Sequence, residues 1–177
     1  SGANYKVLWL LHGTFGDHSD WIRKSSIELY ACEKDLIVVM PSALNSDYVN
    51  WADCMMGYNM FDYLTEELMP LVYNWFPASD KREDNFIAGL SMGGGGTLIY
   101  ALNHPDEFAG AAILSSAART YARQLAGAGA LENARLANRV RNAGGVDALL
   151  SSIDNTWRIL GESVGKVDLP RMYCAVG

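Results

Sequence analysis

The chain has no apolar run approaching the ~20 residues that cross a bilayer. It has no internal repeat, no low-complexity tract and no linker-like stretch. Basic residues are in deficit: 14 Lys and Arg stand against 20 Asp and Glu, a formal net charge of -6. With no basic excess to neutralise phosphates, nucleic acid is excluded as the main partner. Cysteine is scarce and odd in number. Cys32, Cys54 and Cys174 lie far apart and fit no metal-ligand spacing. They read as free thiols of a cytoplasmic, reducing compartment, with a secreted protein as the alternative. No secretory leader opens the chain, although its first residue is Ser1 and not Met. No Gly-Lys-Ser/Thr follows a glycine loop, so a P-loop is excluded. Histidine is limited to His12, His18 and His104.

What is present is ordinary globular composition, 50% hydrophobic and 19% charged over 177 residues. That length suits one domain burying roughly 70% of its unfolded surface. Near-continuous apolar runs at Tyr5–Leu11 and Leu36–Met40 suit buried strands, the first buried on both faces, and Phe86–Leu90, Phe108–Leu114 and Met172–Val176 read as three further strands. Between them lie helix-like segments: Trp21–Lys34 with Asp20 as a cap, Asn59–Phe76 with Pro70 predicting a kink or two abutting helices, and Gly94–Asn103 halted by His104-Pro105. Ser42–Tyr58 is irregular and reads as a loop over the sheet's edge. The alternation predicts a mostly parallel sheet with helices on both faces. Only the Ala-, Gly- and Arg-rich stretch at 118–160 interrupts it, and there a helical cap is expected within the single domain 1–177.

The chemistry concentrates at Asn85–Thr97, NFIAGLSMGGGGT. A strand, then G-x-S-x-G at Gly89–Gly93, then a helix is the context of a nucleophile elbow. Ser91 would sit on a tight turn at the strand's carboxyl end. Gly89 and Gly93 flank it because side chains there would collide with neighbouring backbone. Serine attack on a carbonyl needs donors for the oxyanion. One is the N–H of the residue after the nucleophile, Met92. The second is expected from the loop after an earlier strand, His12-Gly13-Thr14-Phe15-Gly16, with Thr14 as the first candidate and Phe15 the next. The positive N-terminus of the following helix would add to them.

Serine also needs a base. His104 closes the elbow helix, ~20 Å along it from Ser91, and His12 and His18 lie in the oxyanion-loop region. His12 is expected to hold that loop by hydrogen bonds. In this fold the order is Ser, acid, His, and Asp147, Asp154, Glu162 and Asp168 all precede the last strand, after which the acid belongs.

LWLLHGTFGDHSDW, IVVMP, YNMFDYLTEELMPLV and REDNFIAGLSMGGGG together resemble the esterase D family of α/β-hydrolases, in its tributyrin and carbohydrate esterase branch. S-formylglutathione hydrolases, feruloyl and acetylxylan esterases and mycolyltransferases are relatives. The resemblance runs from about Tyr5 to Leu114, fades across Arg119–Leu160 and returns weakly at Met172–Gly177. It implies an α/β-hydrolase fold, Ser91 as nucleophile, and Thr14 and Met92 as the oxyanion hole. It also implies a chain truncated at both ends: the family begins with earlier strands, and its acid and histidine follow the equivalent of MYCAVG. The triad Asp and His are therefore expected beyond Gly177 and not among the residues present.

The implied function is a serine carboxylesterase acting on short-chain or carbohydrate-linked esters through an acyl-enzyme. It needs no metal and no organic cofactor. Its partner is a small-molecule ester, with no nucleic acid and no membrane, and a homo-oligomer would be common in the family. An S-formylglutathione hydrolase or an acyltransferase on the same fold is the alternative, and a non-catalytic homologue a more distant one. An NAD(P)-binding oxidoreductase fits Gly89–Gly95 and Tyr30–Lys34 as strings, but the glycine loop follows the wrong strand and the Tyr/Lys pair precedes it. Phe15, Trp51, Tyr58 and Ser115 are candidate substrate contacts; for Trp51 and Tyr58 plain packing is the competing reading. Arg119, Arg123, Arg135, Arg139 and Arg141 read as a solvated helix face or as contacts to an anionic substrate group.

Overall fold

The apolar runs pair into one parallel sheet of strands β1 (Lys6–Leu11), β2 (Leu36–Val39), β3 (Asn85–Leu90), β4 (Gly110–Leu114) and β5 (Arg171–Ala175), in the order β2-β1-β3-β4-β5. The computed structural model describes residues 4–52 and 58–176, so Cys54 and Gly177 lie outside the described residues. The chain runs from β1 outward to β2 and then back across to β3. The strand order therefore reverses between β1 and β3, the place where parallel sheets take their ligands. Leu11 pairs with Gly89 across that boundary, so the loop after β1 and the turn after β3 leave the sheet side by side. β2 is not buried as its apolar run predicts; it is an edge strand, and all four of its residues are half-buried.

Two helical segments differ from expectation for local reasons. The stretch read as one helix after Asp20 is two, α1 (Asp20–Lys24) and α2 (Ile27–Glu33). Ser25 between them is extended, and its hydroxyl donates to the Trp21 carbonyl at 2.5 Å, competing with the helix for its own backbone. Asp20 does not cap α1; it is the first helical residue and pairs with Lys24 at 3.0 Å. Helices α3 (Met60–Asp62) and α4 (Met69–Trp75) are joined by a π-helical stretch, Tyr63–Leu68. Pro70 has no N–H to return to Glu66, and the helix widens just before it rather than kinking.

Helix α5 (Met92–Asn103) is buried from Met92 to Leu102, with no polar stripe. Such a helix is a core element. It packs along β1, β3 and β4, and its other sides meet Phe61, whose ring stacks on Tyr100 at 5.0 Å, and the later helix α9 (Thr156–Ser163). At the opposite edge of the core, Asn85 is fully buried and fully satisfied. Its Oδ1 accepts from Trp9 Nε1 at 3.0 Å and the Tyr73 hydroxyl at 2.9 Å, and its amide donates to the carbonyls of Ser79 and Lys81 at 2.8 and 2.9 Å. One polar side chain thus ties β1, β3 and α4 together where a lone buried amide would be costly.

Between β4 and β5 the chain builds α6 (Tyr121–Leu125), α7 (Ala134–Ala143), α8 (Val146–Ser151) and α9 (Thr156–Ser163). Asn133 caps α7 by accepting from the N–H groups of Arg135 and Leu136, and left-handed Gly144 ends it. Tyr121, Leu136 and Leu149 form a small core of this segment's own, separate from the main one. It docks both by apolar packing of Ile153, Ile159 and Leu160 on the main core and by ion pairs. Arg119 is buried and donates to Asp154 and to Asp47, the latter at 3.2 Å. Arg139 grips the same Asp47 through Nε and Nη2 at 3.1 and 3.0 Å. Tyr121 donates its hydroxyl to Asp154. Arg119 and Arg139 are therefore not a solvated helix face, whereas Arg123, Arg135 and Arg141 are exposed. Burial pushes the Asp47 carboxyl up, but the Arg139 hydrogen bond and the charges of Arg119, Arg139 and Arg135 outweigh it and hold its pKa below the ordinary 3.8.

Two predictions follow from these contacts. Asp47→Asn leaves buried Arg119 and half-buried Arg139 with one carboxylate and should destabilise the protein by about 3 kcal/mol at neutral pH. Because the folded pKa is depressed, the Asp47 contribution is complete above 3.8 and is lost as pH falls through the lower folded value. In urea unfolding, the gap between wild type and variant should close in that acid range; a gap unchanged from neutral to strongly acid pH would refute the assignment. Glycine-to-alanine exchange should change sign with position. A Cβ at Gly93 would stand 2.4 Å from the Leu11 carbonyl oxygen and 2.6 Å from that of His12, while one at Gly161, inside α9, meets nothing. Thermal unfolding should show Gly93→Ala destabilised by about 3 kcal/mol or more and Gly161→Ala stabilised by about 0.5–1 kcal/mol.

Candidate active site

Ser91 lies between β3 and α5 with φ 55° and ψ −109°, a conformation that an L-residue adopts only when its surroundings force it. The forcing is visible. Its N–H donates to the Leu114 carbonyl at 2.8 Å, and its carbonyl accepts from Gly95 N–H at 3.0 Å, which starts the helix. Gly89 and Gly93 are pressed together: a Cβ on Gly89 would fall 2.4 Å from the Gly93 carbonyl and 2.9 Å from Leu11 Cβ. The collisions expected from the motif are the ones found. The turn leaves Ser91 exposed at the carboxyl edge of the sheet.

Met92 is the first residue of α5, so its N–H has no carbonyl one turn back within the helix. The loop after β1 approaches from the other side, and a Cβ built on Gly13 would lie 3.8 Å from Ser91 Cβ. Of the two donors considered in that loop, Phe15 has its N–H committed to Asn45 Oδ1 at 2.8 Å. The Thr14 N–H meets no acceptor among the described residues. Phe15 itself is left-handed (φ 63°) with its ring 90% exposed, so Asn45 holds the loop while the ring projects into solvent.

His12 is buried, and both ring nitrogens are used. Nε2 accepts from Ala43 N–H at 2.9 Å, and Nδ1 donates to the Gly13 carbonyl at 2.8 Å. That pattern requires the neutral ring in one tautomer and makes it a clamp between the loop and the segment after β2. Tyr48 completes the clamp by donating to the His12 carbonyl at 3.1 Å. His18 meets Ser42 Oγ at 2.9 Å on the surface, and His104 stacks on Phe61 at 5.1 Å beyond the far end of α5. Among the described residues, none of the three is hydrogen-bonded to Ser91.

Two clefts open beside the serine. One, about 330 Å³, is lined by Ser91, Leu90, His12, Thr14, Trp21 and Lys24. The other, about 440 Å³, is lined by Phe15, Trp51, Met92, Asn138, Arg135 and Arg141 among others. Thr14 borders both. Of the candidate substrate contacts, Phe15 and Trp51 therefore face a cleft. Tyr58 instead packs on Trp51 with ring centroids 4.8 Å apart and accepts from its backbone N–H at 2.9 Å. Ser115 stands at the end of β4 with φ 49° and borders neither of these two clefts. Residues that motif reading passes over matter as much. Asn45, Tyr48 and Asp47 sit in an irregular loop with no periodicity to betray them.

The comparisons with known proteins agree with this geometry. The esterase family model, described as "Putative esterase", matches residues 1–159. The acetyl esterase of Caldicellulosiruptor saccharolyticus is 35% identical over 114 residues, covering 64% of this chain and 42% of that protein. Among solved structures, the Staphylococcus aureus fluorophosphonate-binding serine hydrolase FphF aligns over 100% of this chain and 66% of its own, with a TM-score of 0.79 and 33% identity. The S-formylglutathione hydrolase FrmB of the same organism aligns over the same shares with a TM-score of 0.77 and 31% identity. The chain thus spans 42% of the length of the acetyl esterase and 66% of each staphylococcal structure. With its parallel sheet, its elbow and a family match over most of its length, the chain belongs to the esterase family of α/β-hydrolases.

Proposed function

We propose that this chain carries the nucleophile and oxyanion site of a serine carboxylesterase for short-chain or carbohydrate-linked esters. The observation that carries the reading is the strained, exposed Ser91, with the N–H groups of Met92 and Thr14 meeting no acceptor among the described residues. Ser91 Oγ attacks the ester carbonyl. The carbonyl oxygen becomes an oxyanion held by the two N–H groups and by the positive end of the 12-residue helix α5. Collapse of the tetrahedral intermediate expels the alcohol and leaves an acyl-enzyme, which water hydrolyses. The proton that leaves Ser91 needs a base, and the histidines here are engaged elsewhere. The reading therefore assigns acid and base to parts of the protein other than residues 1–177. Neither metal nor organic cofactor enters the scheme.

Relatives support the acyl range: one is named an acetyl esterase and another an S-formylglutathione hydrolase. The latter keeps a thioesterase in view, and an acyltransferase would share every step to the acyl-enzyme. Residues 118–160 serve in this reading as the cap that roofs the second cleft. No helix among the described residues is long and apolar enough to cross a membrane. Cys32 and Cys174 are free and exposed, which favours a reducing, cytoplasmic setting.

In the full-length protein, Ser91→Ala should lower 4-nitrophenyl acetate hydrolysis by ~10⁴-fold or more and abolish covalent labelling by a fluorophosphonate. Retention of either would remove Ser91 as nucleophile. Asn45→Ala should leave the fold intact and lower kcat roughly tenfold or more, because it frees the loop that aims the Thr14 N–H. Unchanged kcat in a folded variant would show that Asn45 does not position the donor.

A further inference from the structure

The cleft between Met92 and α7 is positively charged in a protein whose formal charge is -6. Its charges do not cancel. Arg119 and Arg139 are spent on Asp47 and Asp154. Arg135 and Arg141 also belong to this region of α7, and neither meets a carboxylate among the described residues. The Arg141 guanidinium donates to Asn138 Oδ1 at 2.9 Å, and the Arg135 guanidinium has no hydrogen-bond partner among the described residues. Asp47, the one acid lining the cleft among the described residues, is already held by two guanidinium groups. A cleft that keeps two unneutralised arginines beside a nucleophile concentrates anions there, and guanidinium is the donor suited to a forked oxyanion.

Resting on the esterase reading above, we infer that Arg135 and Arg141 form a subsite for a carboxylate carried by the ester substrate, so that this esterase prefers anionic over neutral esters. The cleft reaches Thr14 and Met92, the residues on either side of the oxyanion position, so a molecule bound at Ser91 can extend into it. Exposure does not argue against the role. A specificity charge must be solvated when the site is empty, and the ion-paired Arg119 and Arg139 below provide the fixed platform from which α7 presents it.

The test uses full-length protein and two anionic esters, 4-nitrophenyl hydrogen succinate, with the charge on the acyl side, and 4-acetoxybenzoate, with the charge on the alcohol side. 4-Nitrophenyl butyrate and phenyl acetate are the neutral references. For at least one pair, the anionic-to-neutral ratio of kcat/KM should fall tenfold or more in the double variant Arg135→Ala, Arg141→Ala, and be partly restored in Arg135→Lys, Arg141→Lys. In wild type, added salt should lower kcat/KM for that anionic ester and not for its neutral partner. Ratios unchanged within twofold for both pairs, or salt effects equal for anionic and neutral esters, overturn the inference. Should none of these esters be turned over, the esterase reading fails separately, and calorimetry of 4-nitrophenyl hydrogen succinate binding to Ser91→Ala protein decides the subsite. Binding weakened tenfold by the double alanine change supports it, and binding indifferent to that change overturns it.

Discussion

The first turn of α5 is held closer to its neighbours than any side chain would allow, and the rest of the structure is arranged around that approach. Gly93 faces the carbonyls of Leu11 and His12, Gly94 the Leu114 carbonyl and Ser116, Gly95 the Arg119 guanidinium, and Gly96 the Tyr48 ring. A four-glycine run in a helix is unfavourable by propensity. Here each missing Cβ is a place where something else comes in: sheet backbone on two sides, a buried cation and an aromatic ring on the others. The strain at Ser91 is sustained because the helix below it cannot shift away from any of these neighbours.

The same contacts explain why one irregular loop matters. Asp47 and Tyr48 both have positive φ, 56° and 60°, and they follow one another. Tyr48 packs under Gly96 and reaches the His12 carbonyl, while Asp47 turns the other way to bind Arg119 and Arg139. Two adjacent residues thus join the loop after β1, the elbow helix and the segment between β4 and β5. Asn45, two residues earlier, fixes Phe15. The backbone cost of the left-handed pair is of order a few kcal/mol, and it is offset by the Tyr48 hydrogen bond and the Asp47 ion pairs.

Much of this was legible in the sequence, and the division follows range of interaction. The sheet strands, the elbow, the close approach at Gly89 and Gly93 and the clamp role of His12 rest on local pattern: apolar runs, a motif with its context, a histidine beside glycine. β2 was misjudged because LIVV reads the same at an edge as at a centre; the run reports strand, not position. The break at Ser25 depended on a hydroxyl choosing a carbonyl, and the π turn before Pro70 on how a helix absorbs a missing donor. The arginines were the larger miss. Arg135, Arg139 and Arg141 share one helix, yet only Arg139 of the three is half-buried, paired with Asp47, which is distant in sequence. No spacing rule within α7 distinguishes it from its neighbours.

That distinction bears on how the site is divided. The paired arginines, buried Arg119 and half-buried Arg139, neutralise Asp47 and Asp154 and hold α7 in place. Removing charge there disturbs the protein's architecture before it disturbs any ligand. The exposed pair, Arg135 and Arg141, has no such duty, so its charge is available to what enters the cleft. Thr14 marks the boundary. On one side of it the cleft of Trp21 and Leu90 carries Asp20 and Lys24, which neutralise each other; on the other the cleft beneath α7 carries net positive charge. On the proposed reading, an ester carbonyl seated between Thr14 and Met92 would extend two arms into clefts of different charge. A substrate with one neutral and one anionic arm would then fit in a single orientation, and a shallow site on an exposed serine could select the bond it attacks.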